Sequence, residues 1–243
     1  MKKIIFVLLI VCMFAFSFAN AKIYDTRTPV RVDNNLPFSD LQDPAMEKDG
    51  TTRKQDPQTR ENLFYYNPCI NEIIKATKIT VDKDNNKLIQ GYADGTFRPK
   101  DNVTKAEFIK MAICLATNRN FDFSIIPHSH IKHWAGQYVA VAEMQGVVEK
   151  GEYNDYNLND EITRLEMIMI LSKIQINMKG IDQYREGNLP EYEDISALTD
   201  EQKGYLLHAV RYELLPNMYS SKEVKPYSYL TREEAARAII RVY

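Results

Sequence analysis

Apolar and polar residues follow a helical spacing in three separate stretches of the chain. A threonine stands directly before each stretch, at Thr104, Thr163 and Thr231, and a glutamate follows each threonine by three residues. Apolar residues then recur at intervals of three or four, as they do from Phe108 to Leu115 in the first stretch. This spacing predicts three amphipathic helices, one after each threonine.

Each predicted helix has the residues that stabilise a helix start. A threonine at the N-cap accepts a hydrogen bond from the amide three residues on, and the glutamate there reaches back to the amide of the threonine. The residue after each threonine is basic, namely Lys105, Arg164 or Arg232. A cation at this position opposes the helix dipole and loses about 0.3–1 kcal/mol relative to a favourable charge. Two explanations stay open: an anion site shared with the free amides of the helix N-terminus, or a salt bridge or simple solvent exposure.

A second helical pattern precedes each capped helix, on the far side of a loop. These patterns cover residues 71–77, 134–142 and 202–214. Helix, loop and capped helix thus recur three times, with the threonines 59 and 68 residues apart. Since one such pair cannot bury its own apolar face, the three should pack together. The sequence predicts an all-α protein of three helix–loop–helix repeats, at residues 63–120, 121–180 and 181–243.

The N-terminal residues fit a secretory signal peptide over residues 1–21. Lys2 and Lys3 precede an uncharged run over residues 4–18, and a small-x-small pattern ends at residue 21. The run is shorter than the roughly 20 residues of a membrane span. We therefore expect cleavage after residue 21 and a secreted product without a transmembrane segment. The polar residues 22–62 then form a flexible linker.

Charge and cysteine content exclude several classes of protein. The formal net charge is -2, and it becomes -4 without the two lysines of the signal peptide. A net charge this small and negative gives no general attraction to nucleic acid or to an anionic membrane. Beyond the signal peptide the chain has only Cys69 and Cys114, too few for a disulfide scaffold. One disulfide and two buried free thiols are both compatible with an exported protein.

The sequence offers little for catalysis or for metal binding. Residues 82–86 open like a calcium-binding loop, but Lys87 stands where a glycine is needed. His128, His130 and His133 do not have the spacing of a structural zinc site. No nucleophile elbow or P-loop occurs, and three small repeats leave no room for a separate catalytic domain. We therefore expect a non-enzymatic protein without a metal or cofactor.

Residues 91–107, with the sequence GYADGTFRPKDNVTKAE, resemble the signature of the S-layer homology domain. Residues 133–148 resemble its first helix, and the later copies are similar mainly through TRLE at 163–166 and TREE at 231–234. The resemblance covers about residues 63–243. It implies a pseudo-threefold bundle of three repeats, with binding grooves between them. Such domains hold exported proteins to the cell envelope by binding cell-wall polysaccharide, which often carries pyruvate ketals.

The resemblance also implies which residues would contact a ligand. The basic residue after each threonine matches the family's basic ligand-contacting position, where a ketal carboxylate would be the anion. Two glycines and an aspartate match its loop, and a tryptophan matches an aromatic residue of its first helix. The implied ligand-binding residues are Lys105, Arg164, Arg232, Gly91, Asp94, Gly95 and Trp134. An aromatic face can stack on a sugar ring, although a lone tryptophan is more often a core residue.

Departures from the family pattern leave the number of binding grooves open. The second copy has residues 151–156 in place of the glycine-rich loop, and the third has no glycine in residues 216–225. Lys105 lacks the bidentate fork of an arginine. Two functions therefore remain. The first is an envelope anchor that binds cell-wall polysaccharide or a peptidoglycan-linked polymer. The second is a structural or protein-interaction module of the envelope, with S-layer or other envelope proteins as partners, whose degenerate grooves no longer bind glycan.

Overall fold

The computed structural model describes residues 37–41, 69–81, 86–117, 121–126, 130–215 and 222–242. The predicted signal peptide and most of the predicted linker lie outside these ranges. The described residues form six α-helices: α1 Ile70–Lys78, α2 Lys105–Ala116, α3 Gly136–Met144, α4 Arg164–Lys173, α5 Asp200–Arg211 and α6 Arg232–Val242. Only isolated bridges, and no strands, occur in this part of the chain, so the predicted all-α class is confirmed.

The helix starts of α2, α4 and α6 have the predicted capping geometry. Glu107 donates its amide to the Thr104 hydroxyl at 3.2 Å, and its carboxylate accepts from the Thr104 amide at 2.9 Å. Equivalent pairs of bonds form at Thr163 and at Thr231. A further capping box at Thr199, which sequence reasoning missed, begins α5. Each of these starts is therefore encoded within four consecutive residues.

Other helix boundaries differ from the predicted ones by one to three residues, and Trp134 lies before α3 rather than inside it. Helix α4 continues as a single π-helical segment over Ile174–Met178, which the sequence pattern did not predict. Such offsets are usual, because terminal turns depend on neighbouring elements as well as on the local sequence.

A closed ring of backbone hydrogen bonds joins the three residues that precede the capping threonines. The Val103 amide donates to the Leu230 carbonyl, Leu230 donates to Ile162, and Ile162 donates back to Val103, each at 2.9 Å. All three side chains are buried. The ring fixes the starts of α2, α4 and α6 relative to one another.

The first two amides of each capped helix also donate to another part of the chain. Their acceptors are the carbonyls three and five residues before a different capping threonine, at 2.8–3.0 Å. Helix α2 donates to the loop before α4, α4 donates to the loop before α6, and α6 donates to the loop before α2. The donor–acceptor pairs are Lys105–Asp160, Ala106–Leu158, Arg164–Ser228, Leu165–Pro226, Arg232–Asp101 and Glu233–Pro99.

Helix packing follows the same cyclic order. Helix α2 packs on α3, α4 packs on α5, and α6 packs on α1, so the last helix closes on the first. The core between them contains fully buried side chains from each capped helix, including Phe108, Met167 and Ile239. One such helix pair could not bury these side chains, which is why the pairs depend on one another.

Residues 37–41, within the predicted linker 22–62, pack against the loop before α2. The Asp40 carboxylate accepts the amides of Phe97 at 2.7 Å and Arg98 at 2.6 Å. Leu41 is fully buried, and the ring of Phe38 lies 5.4 Å from that of Phe97. The structure therefore departs from the predicted linker here. Five residues are too few to show a hydrophobic period, and their partners lie more than fifty positions away in the sequence. The sequence pattern therefore did not predict this packing.

A second aspartate holds the equivalent turn before α6. The Asp194 carboxylate accepts the amides of Val224 at 2.9 Å and Lys225 at 2.6 Å. Lys225 and Arg98 both have a φ of 54°, which is uncommon for residues other than glycine. In both turns, two charge-assisted hydrogen bonds stabilise a backbone conformation that is intrinsically unfavourable.

The two remaining cysteines are free thiols in the structure. Cys69 and Cys114 are both buried. Burial raises the pKa of Cys69 to about 12, so this thiol is protonated at neutral pH. Of the two alternatives open from the sequence, the structure shows the free thiols.

Replacing Asp40 with alanine should lower the free energy of unfolding by about 1–3 kcal/mol, because two amides lose a charged acceptor. Urea denaturation followed by circular dichroism measures the loss. The control is Asp182→Ala, at an exposed position. If both variants are equally stable, the packing of residues 37–41 does not contribute to folding.

Candidate functional site

An open cleft of about 550 Å³ lies where the starts of the capped helices meet. The first residue of α2, the loop and first turn of α4, and the segment before α6 all contribute to it. The lining residues are Lys105, Asn159, Asp160, Glu161, Thr163, Glu166 and Tyr229. Its volume is in the range of small-ligand sites in proteins. Of the implied ligand-binding residues, only Lys105 lines this cleft.

Lys105 forms an ion pair within the cleft. Its Nζ lies 3.2 Å from Glu166 Oε1 and 5.9 Å from the centre of the Tyr153 ring. The side chain is 17% exposed, so the ammonium remains accessible from the cleft. Glu166 is also the capping glutamate of α4. The salt bridge to a neighbouring acid, one of the two explanations drawn from the sequence, is therefore present at this position.

Arg164, at the equivalent position of α4, is buried. Its Nε donates to the Val224 carbonyl at 2.9 Å, and its Nη1 donates to Glu234 Oε1 at 2.6 Å. Glu234 belongs to the capping pair of α6, just as Glu166 belongs to that of α4. Only 3% of the Arg164 side chain is exposed. The guanidinium therefore links α4 to the segment around α6.

Arg232, at the equivalent position of α6, is also buried. Its Nε donates to the Phe97 carbonyl at 2.9 Å and its Nη2 to the Gln90 carbonyl at 2.6 Å. The guanidinium lies 5.0 Å from the centre of the Tyr92 ring. Phe97 and Val224 each stand seven residues before a capping threonine. The two arginines thus make the same bond to equivalent carbonyls.

The amides of the helix N-termini are not free, contrary to one hypothesis from the sequence. The amides of Lys105 and Ala106 donate to carbonyls of the loop before α4, and that of Glu107 donates to the Thr104 hydroxyl. The corresponding amides of α4 and α6 are bonded in the same way. An anion at these helix starts would therefore meet basic side chains but no available backbone donors.

Asp94 stabilises its own loop. Its Oδ1 accepts from the Thr96 hydroxyl at 2.6 Å and the Thr96 amide at 3.0 Å, and its Oδ2 lies 3.0 Å from Arg98 Nη2. The bond from the Thr96 hydroxyl, followed by that from Arg98, lowers the pKa of Asp94 to about 2. Asp94 does not line the cleft.

The two implied glycines have backbone roles in the same loop. Gly95 has a φ of 80°, a conformation that side-chain-bearing residues rarely adopt. A Cβ on Gly91 would overlap the ring of Phe38, so glycine permits residues 37–41 to approach the loop. Neither glycine lines the cleft.

Trp134 lies next to the cleft rather than in it. The residue is 57% exposed, and its ring centre is 5.3 Å from that of His133. His133 Nε2 lies 3.1 Å from Asn159 Oδ1, and Asn159 lines the cleft. Trp134 therefore extends the surface beside the cleft and is not a core residue.

Sequence reasoning missed most of the cleft lining, above all Tyr229. This residue is 53% exposed and stands two positions before the third capping threonine. Asn102 and Glu161 occupy the equivalent positions before the other two threonines. The alignment of the three segments offered a signal, but only the bridge between Tyr229 and Thr163 brings the tyrosine to the cleft.

The described residues show neither a membrane span nor a metal site. None of the helices in this part of the chain is long and apolar enough to cross a membrane. Within the same ranges, no three His, Cys, Asp or Glu side chains are placed to hold a metal ion. Residues 82–85, in the segment that opens like a calcium-binding loop, lie outside the described residues, as does His128.

Residues 85–109 match the S-layer homology domain. The matched range includes the loop of Gly91, Asp94 and Gly95 as well as Lys105. S-layer homology domains are anchoring modules, so the match indicates attachment at the cell envelope or cell surface.

Three curated proteins are similar to the chain over longer ranges. An exoglucanase, XynX, of Acetivibrio thermocellus is 27% identical over 158 residues, which is 63% of this chain and 14% of that protein. An amylopullulanase of Thermoanaerobacterium thermosulfurigenes is 26% identical over 156 residues, or 63% of this chain and 8% of the relative. Cell surface glycoprotein 1 of Acetivibrio thermocellus is 29% identical over 96 residues, or 38% of this chain and 4% of the relative.

The chain therefore spans only a small part of the length of these relatives. The two enzyme names describe proteins that extend far beyond the region of similarity. The similarity accordingly carries no catalytic activity over to this chain.

Replacing Arg164 with alanine should cost about 3–5 kcal/mol of unfolding free energy, because Glu234 is left buried without its cation. Lys105→Ala, at the equivalent helix position, should cost less than about 1 kcal/mol, since its ion pair is partly exposed. Urea denaturation of both variants measures the difference. Equal losses would contradict the distinct roles assigned to the two residues.

The Asp94 carboxyl should titrate with a pKa of about 2, and Thr96→Val should raise it by removing the hydroxyl donor. Because the folded pKa is lowered, the stabilisation is present above about pH 4 and is lost as the pH falls towards the folded value. Carboxyl chemical shifts from NMR measure the pKa. A wild-type pKa near the ordinary value for aspartate would show that the loop does not hold this geometry in solution.

Proposed function

We propose that this chain attaches non-covalently to the bacterial cell envelope by binding cell-wall polysaccharide in the cleft at Lys105. One observation carries the proposal: the cleft is lined by Lys105, the first residue of a capped helix, and Lys105 lies within the range that matches the S-layer homology domain. This is the position where the family resemblance implies a basic ligand contact. Secretion through the N-terminal signal peptide would bring the chain to that compartment.

We further propose that the chain contains three S-layer homology repeats arranged around the backbone ring. The support is the equivalence of three sets of bonds: the capping pairs, the ring itself and the amide donors of α2, α4 and α6. The contacts of Asp40 and Asp194 with equivalent turns extend the first repeat to begin near residue 37 rather than at residue 63. The second and third repeats keep the limits 121–180 and 181–243.

The groups around the cleft suit a sugar. The exposed face of Tyr229 can stack on a pyranose ring, and Asn159 and Lys105 offer polar groups at its edges. Trp134 extends this surface beyond Asn159, through His133. A carbohydrate chain needs such a combination of an aromatic face and hydrogen-bonding groups.

The two other basic positions favour a single binding groove. Arg164 and Arg232 are buried and bonded to carbonyls of neighbouring loops. A ligand could reach either guanidinium only after those bonds were broken, which would cost much of the stability that they provide. We therefore propose one groove, at Lys105, and a structural role for the two arginines.

The burial of Arg164 and Arg232 also supports the second candidate function. If arginines at ligand-contacting positions have become internal links, the whole module can act as a scaffold that contacts S-layer or other envelope proteins. The two functions differ in what they require of the envelope, since only the first needs the wall polysaccharide.

Purified wall sacculi should retain the mature protein only when their polysaccharide is present. Lys105→Ala and Tyr229→Ala should each weaken retention about fivefold or more, because each removes a side chain that lines the cleft. Lys75→Ala, an exposed lysine on α1 outside the cleft, is the matched control for charge. Co-sedimentation measures retention, and circular dichroism verifies that every variant folds.

Wild-type protein that ignores the sacculi would disprove polysaccharide binding and leave the protein-contact module as the remaining function. Retention that survives both cleft variants would instead place the binding surface elsewhere on the chain.

A further inference from the structure

We infer that the cleft at Lys105 selects a neutral or amine-bearing sugar and disfavours a carboxylate-bearing one such as a pyruvate ketal. This inference rests on the proposed function, because it names the class of sugar for the same cleft. It reverses the expectation, drawn from the resemblance, that the basic residues bind an anion.

The balance of charge around the cleft is negative. Three carboxylates, those of Asp160, Glu161 and Glu166, line it together with a single ammonium, that of Lys105. At neutral pH these side chains carry a formal charge of about -2. Asp160 and Glu161 are both exposed. A carboxylate that enters the cleft therefore approaches more negative than positive charge.

The one cation is already paired. Lys105 Nζ lies 3.2 Å from Glu166 Oε1, while Glu166 Oε2 accepts from the Thr163 amide and hydroxyl, each at 2.8 Å. Glu166 cannot turn away from Lys105 without losing bonds that cap α4. A ligand carboxylate would have to compete with this fixed glutamate for the same ammonium, and the two negative groups would repel each other.

The backbone amides at the start of α2 are not available to a ligand carboxylate. The first amides of α2 donate to the carbonyls of Asp160 and Leu158, and the Thr163 hydroxyl donates to Glu166. Carboxylate oxygens, in contrast, accept several hydrogen bonds each. The Asn159 amide and the Tyr229 hydroxyl can also donate, but the three carboxylates leave the cleft with an excess of acceptors. This excess favours a ligand that donates through hydroxyl or ammonium groups.

Tyr229 offers an aromatic face on which an uncharged part of the ligand can stack. The residue is 53% exposed and belongs to the lining. The apolar C–H face of a neutral sugar can stack on such a ring without desolvating an ionic group. Stacking on Tyr229 and hydrogen bonds to Asp160 and Glu161 together describe an uncharged or amine-bearing sugar.

Binding of one polysaccharide in two forms tests the inference. The probe is a pyruvylated wall polysaccharide, used intact and after mild acid hydrolysis of its ketals, at low ionic strength. We expect the ketal-free polymer to bind the full mature chain about threefold to tenfold more tightly, as expected for like-charge repulsion across a partly solvated cleft. Calorimetry or surface plasmon resonance measures both affinities.

A charge-neutralised cleft should lose this preference. Asp160→Asn combined with Glu161→Gln removes two negative charges and keeps the shapes of the side chains. It should raise the affinity for the intact polymer, relative to that for the ketal-free polymer, by about threefold to tenfold. Glu186→Gln combined with Glu191→Gln makes the same change of charge at exposed positions outside the cleft, and it should leave the ratio unchanged.

Tight, salt-sensitive binding of the intact polymer alone would overturn this inference and leave the proposed function standing. A ratio that the Asp160 and Glu161 changes do not alter would also overturn it. Binding of neither form would overturn the proposed function and this inference with it.

Discussion

Three backbone hydrogen bonds at the centre of the molecule determine where everything else can lie. Val103, Ile162 and Leu230 each donate to one member of the set and accept from the other, so none can move alone. Because a capping threonine follows each of them, the starts of α2, α4 and α6 are brought together. The loop carbonyls before each helix then meet the first amides of another. The cleft exists because these three helix starts converge.

The basic position after each capping threonine has two different structural outcomes at this junction. Arg164 and Arg232 use Nε to bond equivalent carbonyls, those of Val224 and Phe97, and their planar guanidinium groups can be buried with several bonds satisfied. A lysine has no Nε and carries its charge on a flexible stem. Lys105 keeps an ion pair with the next capping glutamate but lacks the equivalent bond to a loop carbonyl, and an open cleft lies beside its ammonium. A residue type that looks like a ligand contact thus serves as an internal link in two places.

The electrostatic properties of the cleft differ from those of a simple anion-binding site. A lysine beside a helix N-terminus suits an anion when the helix amides are available and the charge is unpaired. Here the amides donate to Asp160 and Leu158, and Glu166 occupies the ammonium. The remaining features, an exposed tyrosine and acidic side chains, fit the hydroxyl-rich surface of a carbohydrate better than a carboxylate. The proposed attachment to the envelope therefore does not depend on recognition of a charged ketal.

Features that depend on a few consecutive residues could be predicted from the sequence: the capped starts of α2, α4 and α6, the helical class and the polar loop around Gly95. Capping and helical periodicity need no partner from elsewhere in the chain. Long-range packing, in contrast, places residues 37–41 against the loop before α2, buries Arg164 and Arg232, and brings Tyr229 to the cleft. Each of these outcomes depends on partners more than fifty residues away, or on which loop a helix start meets. Local sequence patterns do not predict such contacts. The contacts depend on the backbone ring, which requires all three segments to be folded together.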